Sequence, residues 1–257
     1  MMRVGVYFTP YQVDEFALRD QTVVVIDVLR AGTTIATALA NGAKEIIPVT
    51  TVERAVKISG SLFGDHILRG GERNGKMIKG FDLGNSPLDY SEGKVKGKAI
   101  IFSSTNGSKA IDKGRYAREM VLCSFVNLLA VVRFLETLRK DFHVVCSGNN
   151  GSFSMEDSVC AGMLLQKLSE QKGIELFLSD EALAAVALYK SFGRSTAKMV
   201  RNSEHGRYLE QIGFGADLDI CSSVNMLDVI PQLVGSVIKL KTGPERVEAK
   251  MVPVPTQ

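Results

Sequence analysis

The sequence predicts an α/β fold: three layers, α/β/α, around a mostly parallel or mixed sheet, with a helix-rich C-terminal part. Three observations carry this. Short β-branched runs, apolar throughout, recur along residues 1–150, segments of helical periodicity separate them, and residues 151–257 turn mainly helical. Strands of that kind need cover on both faces, which helix-bearing crossovers supply.

The predicted strands are "RVGVYF" from Arg3, "TVVVIDVL" from Thr22, "EIIPV" from Glu45, "KAIIFSS" from Lys98, "EMVLCS" from Glu119 and "FHVVCS" from Phe142. Turn residues bound each of them. Residues 70–98 are glycine-rich with little periodicity and read as one long loop of the functional kind. After Met155, "EDSVCAGMLLQKLSEQ", "SDEALAAVALYKSF" and "STAKMVRNSEHGRYLEQIG" read as three helices, with Ser or Asp near their starts and Gly soon after their ends. The tail, 241–257, is expected to be loosely held. With no repeat and no clean linker, 1–257 reads as a single α/β unit, in which 1–150 is the sheet-rich part and 151–257 the helix-rich part.

Composition narrows the function classes. Of the residues 45% are hydrophobic and 23% charged, which argues against disorder as the main state. Net charge is +3, and the basic residues are scattered without a run, so a small anionic ligand is expected rather than nucleic acid. Cys123, Cys146, Cys160 and Cys221 form no C-x-x-C pair, so neither a metal knuckle nor a disulfide framework is expected. A reducing, cytoplasmic setting fits that usage. Asp27 interrupts the longest apolar stretch, and "MMRVGVYFTP" lacks a leader pattern, so neither secretion nor membrane spanning is expected. Oligomeric state stays open, with a homo-oligomer allowed.

Three predicted strands run into short polar loops. After "TVVVI" come Asp27, Arg30, Thr33 and Thr34; after "AIIF" come Ser104, Thr105, Asn106 and Gly107; after "FHVV" come Gly148, Asn149, Asn150 and Gly151. In an open α/β sheet ligands gather at such ends, where helix N-termini favour anions, and phosphate is the natural candidate. Any one loop would equally serve as a cap or a turn. Asp27 tips the balance, because a carboxylate at a buried strand end costs several kcal/mol unless paired or holding a cation. Asp27, Glu72 and Asp157, the last beside Glu156, all adjoin polar or glycine-rich loops, the usual presentation of oxygen ligands for Mg²⁺. Glu72 could equally pair with Arg69 or Arg73, and Glu156 and Asp157 also suit a helix start.

Three phosphate-handling signatures are absent. Ser152, not Arg, stands six residues after Cys146, which removes a cysteine phosphatase. Neither "SSTNGSKA" nor "SGNNGSFS" is a P-loop, and Leu29 occupies the position where a phosphoaspartyl phosphatase of the haloacid dehalogenase type carries its second Asp.

On "DVLRAGTT" from Asp27, "GGERNGKMIKGFDLGNSP" from Gly70, "SSTNGSKA" from Ser103, "SGNNGSFSMED" from Ser147 and the more diffuse "SEHGRYLEQIGFGADLDIC" from Ser203, the sequence resembles the 2-phosphosulfolactate phosphatase family over most of its length. The resemblance implies a layered α/β fold and Mg²⁺-dependent hydrolysis of a phosphate monoester on a small 2-hydroxy acid. The name-giving substrate belongs to coenzyme M synthesis, though phospholactate or phosphoglycolate would suit the same chemistry. On that expectation Asp27, Glu72 and Asp157 bind Mg²⁺. Arg30 and the amides of Ser104–Gly107 and Gly148–Gly151 hold the phosphoryl oxygens. Lys79, with Arg73 and Lys76, is a candidate for the substrate's acid group. His205 is either the general acid or a residue that packs its helix, and Asn85 either orients a ligand or makes a turn. A metal-activated water is the expected nucleophile, with attack by Asp27 as the alternative. The competing class is a non-catalytic phosphate-binding protein with the same loops.

Overall fold

The computed structural model describes residues 1–14, 16–61 and 66–241. All but the first residue of the tail expected to be loose therefore lies outside the described residues. The strands are β1 (Met2–Tyr7), β2 (Thr22–Ile26), β3 (Glu45–Pro48), β4 (Ile67–Arg73), β5 (Lys76–Met77), β6 (Ala99–Ser103), β7 (Glu119–Cys123), β8 (Phe142–Cys146), β9 (Leu176–Leu178), β10 (Pro231–Val234) and β11 (Val237–Leu240). The helices are α1 (Ala31–Ala40), α2 (Val52–Ser61), α3 (Glu92–Val95), α4 (Gly107–Lys113), α5 (Leu128–Leu138), α6 (Met155–Ser169), α7 (Asp180–Phe192), α8 (Thr196–Asn202), α9 (Glu204–Gln211) and α10 (Gly215–Cys221). No helix among the described residues is long and apolar enough to cross a membrane.

The strands form one mixed sheet in the order β5-β4-β6-β3-β11-β10-β7-β2-β8-β1-β9. Two parallel blocks, β4-β6-β3 and β7-β2-β8-β1-β9, flank the antiparallel hairpin β10-β11. The hairpin pairs antiparallel with β7 on one side and β3 on the other, so the two blocks run in opposite senses. Their carboxyl ends nevertheless meet at one site, as the contacts below show. A flat sheet would hold those ends apart, so this one must bend and twist strongly at the hairpin.

The layers follow from the strand sequences. In β2 every residue is buried, so Val24 and Ile26 face one side and Val23 and Val25 the other. Val24 and Ile26 pack with α5 and α6 through Leu128, Val132, Val159 and Leu164. Val23 and Val25 pack with α1 and α4, and the same cluster takes in Ile100 and Phe102 of β6, so α1 and α4 lie between the blocks. A third cluster, around Val49, Ala55 and Ile101, sets α2 on the far face of the smaller block. Each fully buried Val or Ile contributes about 1.5–3 kcal/mol.

Three sequence expectations change. The stretch read as a loop from Gly70 begins inside β4. Its two glycines sit in a strand because the neighbouring chain comes too close for a side chain: a Cβ on Gly71, at φ +140°, would lie 2.0 Å from the Ser103 carbonyl oxygen. The third helix of the C-terminal part splits into α8 and α9, since Ser203 adopts extended backbone and its hydroxyl accepts the Gly206 N–H to start a new helix. That part also supplies β9 and the central hairpin, whose Gly235-Ser236 turn between alternating residues is a hairpin signal.

Candidate active site

Asp27 follows β2 directly and is 4% exposed. Its Oδ1 accepts a hydrogen bond from the Ala31 N–H at 2.9 Å, where α1 begins. Among the described residues Oδ2 accepts none. It stands over Gly107, where an added Cβ would lie 2.5 Å from Oδ2 and 2.7 Å from the Ala31 Cβ, so only glycine fits. Burial raises the Asp27 carboxyl from 3.8 to about 6, against the opposing pull of His205, the Ser147 hydroxyl and the Ala31 N–H. Ser147 Oγ lies near enough to favour the anion, yet it is buried with no partner in hydrogen-bond geometry.

Two further acids fasten the loops together. Asp157 Oδ1 accepts the Val28 N–H at 2.9 Å and Oδ2 the Gly148 N–H at 3.1 Å, joining the loops after β2 and β8. Its carboxyl is pushed well above the usual range by burial and by the charges of Asp27 and Glu156. Glu72 Oε1 accepts the Thr105 N–H at 2.7 Å, and Oε2 accepts the Gly75 N–H at 2.8 Å and the Thr105 hydroxyl at 3.1 Å. Asn106 Oδ1 accepts the Asn150 N–H at 3.0 Å, tying the remaining pair of loops.

These bonds correct the expected phosphate cradle. The Ser104 amide donates to Ser108 Oγ at 2.8 Å and the Asn149 amide to the Ser152 carbonyl at 2.9 Å. The amides of Ser104, Thr105, Gly148, Asn149 and Asn150 are thus engaged within the protein. Gly107, Gly148 and Gly151 shape the backbone and do not line the cavity. The three acids of the expected metal set differ in what their oxygens meet. Among the described residues no three His, Cys, Asp or Glu side chains are grouped to hold an ion, and both oxygens of Glu72 and of Asp157 accept backbone N–H groups. Asp27 Oδ2 accepts no hydrogen bond among the described residues, and Asn85 Oδ1 is buried without a partner. That pair fits a hard cation that keeps its waters and shares phosphate oxygens, and does not fit a closed protein cage.

Arg30 lines the cavity but is already anchored. Its Nη1 meets Asp217 Oδ2 at 2.7 Å, Nη2 donates to the Gly75 carbonyl at 2.6 Å, and its plane lies 4.3 Å from the centroid of Phe214. Asp217 also accepts the Ser86 hydroxyl at 2.6 Å. Sequence reasoning missed Asp217, which lies 187 residues from Arg30. Only the "GFGADLDIC" stretch hinted at it. Thr33 and Thr34 donate to the Val28 and Asn85 carbonyls, so their hydroxyls serve the fold. Lys79 and Lys76 are exposed outside the cavity, and Arg73 is taken up by the Thr50 and Ser103 carbonyls and the Ser103 hydroxyl. Cys146 is a buried thiol held well above its usual range by burial, as suits a packing residue.

The resulting cavity measures about 180 Å³. Asp27, Arg30, Ser104, Thr105, Asn106, Asn149, Asn150 and His205 line it. His205 Nδ1 lies 3.6 Å from Glu156 Oε1, just beyond hydrogen-bond reach. Burial alone would raise the Glu156 carboxyl, but His205 and the backbone at the start of α6 outweigh it, and the group lies below its usual range. Of the residues expected from sequence, Asp27, Arg30, Glu72, Ser104, Thr105, Asn106, Asn149, Asn150 and His205 come together here. Asn85, expected to orient a ligand or make a turn, joins them, and Leu29, Asn74, Gly75, Glu204 and Tyr208 complete the lining without having been foreseen.

A model of a protein family described as 2-phosphosulpholactate phosphatase matches residues 7–236. A probable 2-phosphosulfolactate phosphatase of Caldanaerobacter subterraneus is 40% identical over 239 residues, 93% of this chain and 98% of that protein. Proteins of the same description from Carboxydothermus hydrogenoformans and Thermotoga maritima are 43% and 40% identical, over 90% and 87% of this chain and 93% and 94% of their own lengths. With its α/β layers and the strand-end loops that carry the resemblance gathered on one cavity, the chain belongs to the 2-phosphosulpholactate phosphatase family and to the phosphoric monoester hydrolases.

Proposed function

We propose that this chain hydrolyses the phosphate monoester of a small 2-hydroxy acid, 2-phosphosulfolactate or a close chemical relative, with Mg²⁺ as cofactor. The observation that carries the reading is Asp27: a buried carboxylate with one oxygen fixed by the start of α1 and the other left open in a polar cavity. The relatives' description as probable 2-phosphosulfolactate phosphatases supports the substrate class. Asp27 and Asn85 would hold the cation, and Glu72 and Asp157 act indirectly by locking the loops that carry them. When bound, the ion offsets the charge of the phosphate beside Asp27 and Glu72.

The protein's own groups do the rest. Arg30, fixed by Asp217 and Gly75, presents its remaining N–H groups to the phosphoryl oxygens together with the side-chain NH2 groups of Asn106, Asn149 and Asn150. Glu156 faces His205 Nδ1 and leaves Nε2 for the substrate. As water attacks phosphorus and the ester P–O bond breaks, His205 delivers the proton to the departing hydroxy-acid oxygen.

Leaving-group dependence tests this assignment. With Mg²⁺ present, His205→Gln should slow phosphate release from 2-phospholactate about 10²–10⁴-fold. Release from 4-nitrophenyl phosphate, whose leaving group needs no proton, should change far less. Equal losses on both esters would remove His205 as the acid, and no release from either by the wild type would overturn the phosphatase reading for small esters.

A further inference from the structure

A second cavity of about 620 Å³ adjoins the catalytic one and shares Asn149, Glu204 and His205 with it. Resting on the phosphatase reading, we propose that this cavity binds the organic part of a larger substrate: a phosphorylated 2-hydroxy acid with an apolar body that ends in a second acidic group. Volume is the first argument. The catalytic cavity already has room for a phosphoryl group and little more, whereas the adjoining volume falls in the range of sites for ligands well above three carbons.

Lining chemistry gives the second argument. Phe153 and Phe192, 45% and 48% exposed, face this space with Met155 and Met199, which makes an apolar wall where water would otherwise stand. Charge is also graded across it. Glu204 belongs to the edge shared with the catalytic cavity, and Glu156, which lines the larger cavity alone, lies 3.6 Å from His205 Nδ1. Arg194 and Lys198 line the larger cavity alone, and among the described residues neither forms an ion pair with a carboxylate. An ester lying through both cavities would therefore place its phosphate by Asp27, its leaving oxygen by His205, its apolar body on the aromatic wall and its distal carboxylate at Arg194 and Lys198. This departs from the sequence expectation, which looked for a cation for the substrate's acid group among Arg73, Lys76 and Lys79.

The test compares 2-phospholactate with the O-phosphate of 2-hydroxy-3-(4-carboxyphenyl)propanoate in wild type, Arg194→Ala/Lys198→Ala and Asn202→Trp. Asn202 is an exposed residue that lines only the larger cavity. Wild type should show a KM at least tenfold lower for the aryl ester. Both variants should raise that KM at least tenfold while leaving 2-phospholactate turnover unchanged. Calorimetry of the unphosphorylated aryl hydroxy acid should show the same weakening without any turnover, and should the tryptophan variant fail to fold, the double alanine variant carries the test. Turnover of 2-phospholactate with no preference for the aryl ester, or with both variants indifferent to it, overturns the second site and leaves the phosphatase reading standing. Binding that the variants weaken, in a protein that cleaves neither ester, supports the site and overturns the phosphatase reading instead.

Discussion

Asp27 combines two properties that oppose each other: it lines a polar cavity, and it is buried where the fold disfavours the anion. The rise from 3.8 to about 6 puts its folded value above its unfolded one. The proton therefore favours the folded state. That contribution is complete below about pH 3.8 and is lost as pH rises through about 6, at a cost on the order of 3 kcal/mol. In metal-free protein Asp27→Asn, which keeps an oxygen for the Ala31 N–H, should raise stability at pH 7.5 by up to that amount, with the gain shrinking towards pH 4. Denaturant melts at the two pH values measure it, and a gain independent of pH would show that the carboxyl carries no such penalty. Arg30 and Asp217 pose the complementary case of a buried pair. Asp217→Ala should destabilise by about 3–5 kcal/mol, because it strands a charge. The double change Arg30→Met/Asp217→Leu should recover much of the stability and none of the activity, and a single variant as stable as wild type would show that Arg30 finds another partner. Asp27 was legible in the sequence because it breaks an apolar strand. Asp217 was not, because a contact across 187 residues leaves no local spacing to read.

At the scale of elements, the site is a set of strand ends whose loops bond to one another, with α4 packed unusually close to Asp27. Gly107→Ala would drive a methyl group against Asp27 Oδ2 and the Ala31 Cβ, so it should cost about 1–3 kcal/mol and lower phosphate release at least tenfold. Gly60→Ala in α2, where an added Cβ meets nothing within 4 Å, should be neutral or stabilising by up to about 1 kcal/mol. Equal behaviour of the two would contradict the packing described at α4. The continuous apolar runs of β2, β6, β7 and β8 announced those strands, since burial on both faces demands that composition. The loops were legible as polar turns, but their amides were misread as free. Nothing in "SGNNG" says that Asp157 and Asn106 already occupy them. The glycines of β4 hid a strand because what they accommodate is a neighbouring backbone, and only the fold says which backbone is near.

For the whole molecule, the two parallel blocks meet around α1 and α4, and the β10-β11 hairpin joins them. The site draws Asp27, Asn149 and Asn150 from one block, Glu72, Ser104 and Thr105 from the other, and His205 from the helices that follow. The alternation of strand and helix predicted the layers, whereas the opposite sense of the blocks depends on long-range pairing by four-residue strands. The central claim is that this convergence makes a phosphomonoesterase dependent on Asp27 and Mg²⁺. The most direct test is phosphate release from 2-phosphosulfolactate and 2-phospholactate, with Mg²⁺ and with chelator, by wild type and Asp27→Asn. The account predicts release by wild type that chelator suppresses and that the substitution lowers at least a hundredfold. Release indifferent to both, or phosphate binding without any release, would contradict it.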